Sequence, residues 1–441
     1  MKSKYSFIFC FVFCFNAHSQ LDSLLLSYEH YTLKNGLEVI LQPDQDVKDV
    51  SVEFWLRDGI RTDNSTQYGF THFFEHVMPY AAMDSIELSR FNTYRTNNNA
   101  QVRKDYIRFY TQVVSEGLSV ALKIVAGRLK AGPNRITEKR VEFQRERVLS
   151  EIDRVAKNYP LWSPEGGTAI FEGTFGEKHP YGSSAYGLIE NNKAFKLKDF
   201  REHYKKIVYA DNTVLFLVGN FNIEDAKKLI DIHFSDIHSK KKLPETIKQA
   251  KHLSKSLTMK APHPNDTLNT LALSWSVSKW GSRDHGALKL IASILNNRIE
   301  AESRSLKTVI KSNVDTEMYQ FGGRFLIQAS FSSTKDSTIL ENLIFKTLDG
   351  LIKKGVTERE LIDAQKNEVA VIKKIQQKLG FQASRTELLG EGLLFTENPT
   401  FYYEVLKSQL SLNRKDIKNV AKKWLEKPPY RILFVSNKEE E

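Results

Sequence analysis

The chain has 441 residues, enough for two or three domains, and 41% of them are hydrophobic and 27% charged. These proportions are typical of a protein with a full apolar core, and they exclude a disordered chain, a collagen-like fibre and a small disulfide-stapled scaffold. Lys and Arg outnumber Asp and Glu by 64 to 53, a net charge of +11 that admits nucleic acid, an anionic membrane or acidic peptides as partners but selects none of them.

Residues 1–19 have the three parts of a secretory signal peptide. Lys2 and Lys4 give a positive start, residues 5–15 are almost wholly apolar, and 17–19 place small residues at positions −3 and −1 of a cut before Gln20. An apolar run of about eleven residues is too short to span a bilayer as a helix, although a retained membrane anchor remains the alternative. We therefore expect an exported protein, periplasmic in the first place and extracellular as the alternative.

Cleavage at that point removes both cysteines of the chain, Cys10 and Cys14, together with two lysines. The mature chain then has a charge of 62 − 53 = +9 and no cysteine, so its stability must come from ordinary apolar cores. No later segment is apolar for long enough to cross a membrane, and we expect no transmembrane segment in the mature chain.

Strand patterns and helical patterns follow one another along the mature chain. Stretches that alternate or run apolar, as strands do, occur at residues 38–41, 50–56, 106–114, 212–218, 324–330 and 430–435. Helical periodicity occurs at residues 117–129, 138–157, 197–207 and 337–351. Because the helices come in groups, the predicted fold class is α+β, with sheets and helices in layers.

The chain divides into two halves that resemble each other. Ile136 to Arg140 opens a long helix, Val356 to Glu360 opens another, and the offset between them is 356 − 136 = 220. The apolar strand at 212–218 returns at 430–435, with an offset of 430 − 212 = 218. Chance similarity of common helix starts is the alternative, but two anchors at nearly one offset favour a duplication.

We therefore predict two homologous domains of similar size. The N-terminal domain is expected at residues 28–238 and the C-terminal domain at 257–438. The polar, lysine-rich residues 239–256 are expected to be the linker between them.

The motif His72-Phe73-Phe74-Glu75-His76 is the sharpest chemical signal in the sequence. On a helix, residues i and i+4 lie on one face, so both imidazoles are able to bind one metal ion. Glu75 leans over the same face, where it can take a proton from a water molecule, and zinc suits this set of ligands. The alternative is a helix that merely packs two histidines.

A catalytic zinc ion needs a third protein ligand, and the predicted helix at 138–157 offers one. Its buried stripe is defined by Val141, Val148, Ile152 and Val155. At 100° per residue Glu151 lies about 60° from Val148, at the edge of that stripe, whereas Glu142 and Glu146 are expected to face solvent. The predicted ligands are therefore His72, His76 and Glu151, although an ordinary salt bridge of Glu151 is the alternative.

With these residues the sequence resembles the insulinase/pitrilysin-type zinc peptidases, which include mitochondrial processing peptidase. That family binds zinc with H-x-x-E-H and a Glu some 75 residues downstream, and Glu151 lies 151 − 76 = 75 residues after His76. Further segments that resemble the family are residues 33–39, 58–69, 99–100, 179–187 and 218–220. The resemblance implies two α+β domains that close on each other as a clamshell. It also implies a zinc-dependent endopeptidase in which Glu75 is the catalytic base and peptide is cut in the enclosed chamber.

The sequence departs from the family pattern at three places. A second Glu that many members carry seven residues before the ligand Glu is Gln144 here. The Arg and Tyr with which the second domain of active members holds substrate are not recognisable between Arg304 and Tyr319, and residues 79–82 replace a Gly-Thr turn. The second half has no His pair near 293–297, and Val371 stands where Glu151 would recur, so one zinc ion per chain is expected.

These departures keep a second function open, a non-catalytic or partner-dependent subunit of a peptidase heterodimer. We expect a peptide substrate and a dimer, either of identical chains or, preferentially, with a sister subunit. Nucleic-acid binding rests on charge alone and conflicts with export, so it is not expected. The other histidines need no ligand role, and His203, His233 and His238, which lie among charged residues, are expected to be exposed.

Overall fold

A computed structural model describes residues 21–64, 66–78, 85–240, 247–248, 255–260, 268–304, 306 and 309–437, with the main chain alone at residues 85, 87 and 260. The predicted signal peptide, residues 79–82 and most of the predicted linker lie outside the described residues. In the described part of the chain, two mixed sheets alternate with helices in layers. The predicted α+β fold class is therefore confirmed.

The two sheets have the same topology apart from one added strand. The strands of the first sheet are β1 (Glu29–Thr32), β2 (Glu38–Pro43), β3 (Asp49–Leu56), β4 (Arg95–Val102), β5 (Ile107–Val114) and β6 (Thr213–Gly219), in the spatial order β1-β2-β6-β3-β5-β4. The strands of the second sheet are β7 (Ser256–Lys260), β8 (Asn269–Val277), β9 (Val309–Met318), β10 (Gly323–Phe331) and β11 (Tyr430–Val435), in the order β7-β11-β8-β10-β9. The β2–β6 and β7–β11 pairs are parallel and the other pairs antiparallel, as the predicted duplication requires.

Helices surround both sheets. Those of the first half are α1 (Phe70–Val77), α2 (Ser85–Tyr94), α3 (Leu118–Lys130), α4 (Glu138–Asn158), α5 (Pro164–Phe175), α6 (Ile189–Ala194), α7 (Leu197–Ile207) and α8 (Ile223–Phe234). Those of the second half are α9 (His285–Ser303), α10 (Ser337–Lys354), α11 (Glu358–Ile375), α12 (Arg385–Thr396), α13 (Phe401–Ser411) and α14 (Arg414–Leu425). None of the described helices combines the length and the apolar character needed to span a bilayer.

The two predicted helix starts differ in how they are capped. Thr357 forms a reciprocal capping box with Glu360, in which each side chain bonds the other residue's backbone N–H. The side chain of Thr137 makes no cap bond, although it occupies the N-cap position of α4. The sequence at 357–360 has the T-x-x-E pattern of a capping box, whereas Arg140 stands at the corresponding position after Thr137.

The alternating pattern of β3 divides the first sheet into two faces. Val50, Val52, Phe54 and Leu56 join a core formed with the helices of the first half of the chain. Trp55 points to the opposite face and belongs to a separate cluster. This second face is covered by helices from the other half of the chain.

Each half supplies helices that cover the far face of the other half's sheet. Helix α12 packs on the first sheet, where a Cβ added to Gly390 would lie 2.6 Å from the ring of Trp55. Helix α5 packs on the second sheet, where a Cβ added to Gly173 would lie 2.2 Å from the ring of Tyr430. The offset between the two glycines, 390 − 173 = 217, is close to that of the sequence repeat. The cores therefore cross the predicted domain limits at 238 and 257, which themselves stay a prediction.

A buried carboxylate fastens the second half to the first sheet. Glu53 of β3 accepts hydrogen bonds from the N–H of Phe381 and the hydroxyl of Thr386, both at 2.6 Å, and from Trp55 Nε1 at 2.8 Å. Arg108 of β5 donates to the carbonyl oxygen of Phe381 at 2.9 Å. Burial raises the pKa of Glu53, and these partners offset the cost of burying it.

Candidate metal centre

Helix α1 presents its aromatic residues to the core and its polar residues to a cleft. Phe70, Phe73, Phe74 and Val77 belong to the main core of the first half, at the spacing of a 3.6-residue helix. The N-terminus of α1 is held by Asp63, whose carboxylate accepts bonds from the N–H of Thr71 at 3.2 Å and from its hydroxyl at 2.5 Å. The helix is thus anchored at its start and along one face.

His72, Glu75 and His76 project from the other side of α1. Their ligand atoms lie within 4.8 Å of one another, the one such group among the described residues. The two Nε2 atoms of His72 and His76 are 3.3 Å apart, and their rings meet at 86°. Glu75 lies beside them, with Oε2 at 3.8 Å from His76 Nε2 and a side chain that is 12% exposed.

Helix α4 brings Glu151 to the same point. Val141, Val148, Ile152 and Val155 are buried along its inner stripe. From the edge of this stripe Glu151 Oε2 reaches His76 Nε2 at 3.3 Å and His72 Nε2 at 3.9 Å. Glu142 and Glu146 of the same helix are exposed, as their helical positions predicted.

The donor set fits a zinc ion. Four ligands at about 2.1 Å in a tetrahedral arrangement lie roughly 3.4 Å apart. The separations among His72 Nε2, His76 Nε2 and Glu151 Oε2 are 3.3, 3.3 and 3.9 Å. Two imidazoles and one carboxylate are also the ligand types that catalytic zinc uses, with a fourth position left open.

The protonation states favour a cation at this point. The hydrogen bond from His76 holds the pKa of Glu151 down at about 2, so the carboxylate is charged at neutral pH. Burial, together with the nearby His76, lowers the pKa of His72 to about 4, so that its ring is neutral. Burial alone would lower the pKa of His76, but Glu151 and the charge of Glu75 raise it above its usual value. As the pH falls, the ring therefore takes up a proton, which a metal ion must displace in order to bind.

Glu75 is suited to proton transfer. Burial raises its pKa to about 7, with a further contribution from the charge of Glu151. A divalent cation beside it would favour the carboxylate form and lower this value. Glu75 and His76 line one end of an open cleft of about 630 Å³.

Gln144 lies beside the site. It is buried on the inner side of α4, lines the cleft together with His76, and contributes to the raised pKa of that ring. A Gln at this position removes a negative charge but keeps a polar group next to the His76 ring.

Sequence reasoning missed three residues near the site. Tyr186 places its hydroxyl 3.3 Å from Oε1 of Glu151 and its ring centroid 4.9 Å from that of His72. Arg147 and Arg154, four residues before and three after Glu151, line the cleft. The two arginines could have been found from their spacing to Glu151, because helix positions i−4 and i+3 lie on the same side as position i. The sequence signal for Tyr186 was only its place in the family-like segment 179–187.

The second half shows no corresponding centre within the residues that the structure describes. Arg304, at the end of α9, pairs with Glu300 on the surface at 3.2 Å. Tyr319 donates a hydrogen bond to Glu317, and its ring packs against Tyr181 at 5.0 Å. Both side chains that bound the 304–319 region are therefore engaged within the chain itself.

The expected exposure of His203 was wrong. Its ring packs edge-to-face against Phe70 and Phe74, at 5.1 and 4.7 Å, on the core side of α1. Burial lowers the pKa of His203 to about 4. His238 is exposed, as expected, whereas His233 is half-buried, so the expected exposure of His233 was wrong as well. The charged neighbours of His203 in sequence point outward, so they did not reveal the helix face on which it lies.

Two family models match the chain. The one described as Insulinase (Peptidase family M16) matches residues 38–166, and the one described as Peptidase M16 inactive domain matches residues 194–368. Zinc protease PqqE of Helicobacter pylori is 22% identical over 371 residues, 80% of this chain and 81% of that protein. The probable mitochondrial-processing peptidase subunit beta of Arabidopsis thaliana is 22% identical over 212 residues, 47% of this chain and 39% of that protein.

Solved structures share the fold. A protease from Helicobacter pylori superposes with a TM-score of 0.81 at 19% sequence identity, and the match covers 93% of this chain and 99% of the Helicobacter chain. The periplasmic protease PqqL from Escherichia coli superposes with a TM-score of 0.72 at 15% sequence identity, and the match covers 93% of this chain and 48% of the PqqL chain.

Proposed function

The chain belongs to the insulinase/pitrilysin family of peptidases, M16, and on this premise we propose that it is a zinc-dependent endopeptidase. Its substrates are peptides or short unfolded polypeptides that are hydrolysed in an enclosed chamber. The observation that carries the proposal is the convergence of His72, His76 and Glu151 within 3.3 to 3.9 Å of one another, with Glu75 beside them.

Each of these residues has a role in hydrolysis. His72, His76 and Glu151 hold the zinc ion, one per chain. When bound, zinc lowers the pKa of a water molecule and polarises the carbonyl group that the water attacks. Glu75 takes the proton of the attacking water and then gives it to the leaving amine, a role that its place beside the two histidines supports.

The edge strand β4 offers a place for the substrate main chain. It pairs with β5 on one side only, and Asn98, Asn99 and Ala100 line the cleft next to Glu75. An unpaired strand edge presents N–H and C=O groups to which an extended peptide can bond. Such binding would hold the peptide with little dependence on its side chains.

The test is the variant Glu75→Gln, compared with wild type on fluorogenic peptides and by elemental analysis. We expect zinc to be retained and hydrolysis to fall by a factor of roughly 10² to 10⁴, because the amide cannot accept the proton. The matched control is Glu146→Gln, an exposed carboxylate of the same cleft, which should change the rate by less than about threefold. Wild-type hydrolysis by Glu75→Gln would refute the mechanism.

A non-catalytic or partner-dependent subunit is the second candidate. It is favoured by Gln144 and by the region from Arg304 to Tyr319, in which the family's substrate-holding Arg and Tyr are not recognisable. A relative that is named as a subunit of mitochondrial-processing peptidase also suits a heterodimer. This candidate predicts zinc binding with weak hydrolysis by the chain alone.

We further propose that the protein is exported, to the periplasm in the first place. The signal-peptide pattern of residues 1–19 is the main support. A structural neighbour that is named a periplasmic protease agrees with it. Cell fractionation with an antibody to the chain would test the location.

A further inference from the structure

Basic side chains line the wall of the cleft on both sides of Glu151. Arg147 and Arg154 belong to the same helix, α4, and Ser150 lies between them on the cleft wall. Arg147 precedes Glu151 by four residues and Arg154 follows it by three, so both lie on the same side of α4 as the candidate ligand. Arg128 of α3, a buried residue, adds a third positive charge to the lining.

Arg147 and Arg154 form no salt bridge within the part of the chain that the structure describes. Arg147 lies over the ring of Phe143, at 5.2 Å, and both arginines are exposed. Arg145 of the same helix is different, because it pairs with Glu142 and donates to backbone carbonyls. The charge of the inward-facing Arg145 is thus paired within the chain, whereas Arg147 and Arg154, which face the cleft, can interact with a bound ligand.

Three carboxylates line the same cleft, but two of them belong to the centre. Glu151 is bonded to His76, and Glu75 lies beside the histidines. Glu146 alone faces the cleft without a role there. A bound peptide therefore meets more positive than negative charge beyond the metal site, and the neutral Gln144 does not alter this balance.

We propose that this cleft selects peptides with an acidic residue close to the cleaved bond, a preference that rests on the proposed function and narrows its substrate class. Residues three and four positions from Glu151 lie about 4.5 and 6 Å from it along the helix axis. An extended peptide advances about 3.4 Å per residue, so the acidic residue lies within about two residues of the bond. Arg147 and Arg154 bind its carboxylate through charge-assisted hydrogen bonds.

The experiment measures binding apart from hydrolysis. Three fluorescent peptides share a neutral scaffold and carry Glu, Gln or Lys at the central positions. Their affinities are measured by anisotropy on the zinc-loaded Glu75→Gln chain, which should not cut them. We expect the Glu peptide to bind about tenfold more tightly than the Gln peptide at low salt, with the Lys peptide weakest and the difference smaller at high salt.

The double substitution Arg147→Gln and Arg154→Gln, added to the same chain, should reduce the preference to less than about twofold. Lys139→Gln is the matched control, since Lys139 is an exposed basic residue of α4 outside the cleft lining, and the preference should persist. Equal binding of the Glu and Gln peptides, or a preference that survives the double substitution, would overturn the inference.

Hydrolysis of the same three peptides by the wild-type chain separates the two proposals. A binding preference without any hydrolysis refutes the endopeptidase and leaves the acid-selective cleft standing. Hydrolysis of all three peptides at equal kcat/KM, with equal binding, supports the endopeptidase and refutes the acid-selective cleft.

Discussion

The hydroxyl group of Tyr186 lies 3.3 Å from Oε1 of Glu151, while the other oxygen of that carboxylate, Oε2, lies 3.3 Å from Nε2 of His76. One oxygen is thus held by the tyrosine and the other is directed at the metal position. The ring of Tyr186 also packs edge-to-face on His72. A single side chain therefore orients two of the three proposed ligands.

The substitution Tyr186→Phe should lower the zinc affinity about tenfold, because groups that orient ligands contribute that much to metal binding. The ring contact with His72 is kept, so the loss reports the hydroxyl group alone. Competition with a chelator of known affinity measures it. Tyr159→Phe, an exposed tyrosine next to the end of α4, is the control and should bind zinc as wild type does. Equal affinities of wild type and Tyr186→Phe would exclude the orienting role.

The purified chain should contain about one zinc ion. His76→Ala and Glu151→Gln should each lose most of it, because two ligands hold zinc far less tightly than three. His238→Ala, at an exposed histidine, should retain it. Elemental analysis gives the count, and two tightly bound zinc ions per chain would contradict the single centre.

His203 should make the fold sensitive to acid. Since burial lowers its pKa to about 4, the neutral ring is favoured in the folded state, and this stability is present above pH 6.5 and lost as the pH falls toward 4. At pH 4.5 the loss amounts to about 2 kcal/mol. The variant His203→Phe keeps an aromatic ring against Phe70 and Phe74 but should lack this part of the pH dependence.

Urea denaturation of the chelator-treated chain at pH 7.5 and pH 4.5 measures the difference. Chelation removes the contribution of zinc, which also weakens in acid. His238→Gln should behave as wild type at both pH values. If His203→Phe and wild type lose the same free energy of unfolding between the two pH values, His203 is not the titrating group.

The close approach of α12 to the first sheet should not tolerate a larger residue. In Gly390→Ala the new methyl group would lie 2.6 Å from the ring of Trp55, so we expect a loss of about 1 to 3 kcal/mol. Gly350→Ala in α10 is the matched control, because nothing lies within 4 Å of its Cβ position and alanine favours a helix by about 0.5 to 1 kcal/mol. The midpoint of thermal unfolding should therefore fall in Gly390→Ala and rise in Gly350→Ala. A higher midpoint in Gly390→Ala would show that the two halves pack more loosely than the distance to Trp55 indicates.

The chain should form a dimer, with a sister subunit favoured over a second copy, and should hydrolyse peptides weakly by itself. The reason is that the family's substrate-holding Arg and Tyr are not recognisable between Arg304 and Tyr319, so we expect a partner to hold the substrate near the zinc. Sedimentation of the purified chain and its peptidase rate, alone and with a co-encoded sister chain, measure both. A fully active monomer would end this prediction.

The helices and the candidate ligands followed from the sequence because they depend on local geometry. The spacing of His72 and His76 places both rings on one helix face, and the apolar period of 138–157 put Glu151 at the edge of the buried stripe of α4. The strands at 50–56 and 430–435 were likewise readable from their apolar runs. Each of these features needs only the repeat of one element.

Contacts between elements were decided by the tertiary structure alone. Tyr186 meets Glu151 across 35 residues, and α12 covers Trp55 from the opposite half of the chain. The burial of His203 likewise depends on α7 packing against the aromatic face of α1. A helical or strand period tells which side of an element is apolar, but it contains no information about which element will cover that side, because apolar burial is non-directional and many partners satisfy it equally.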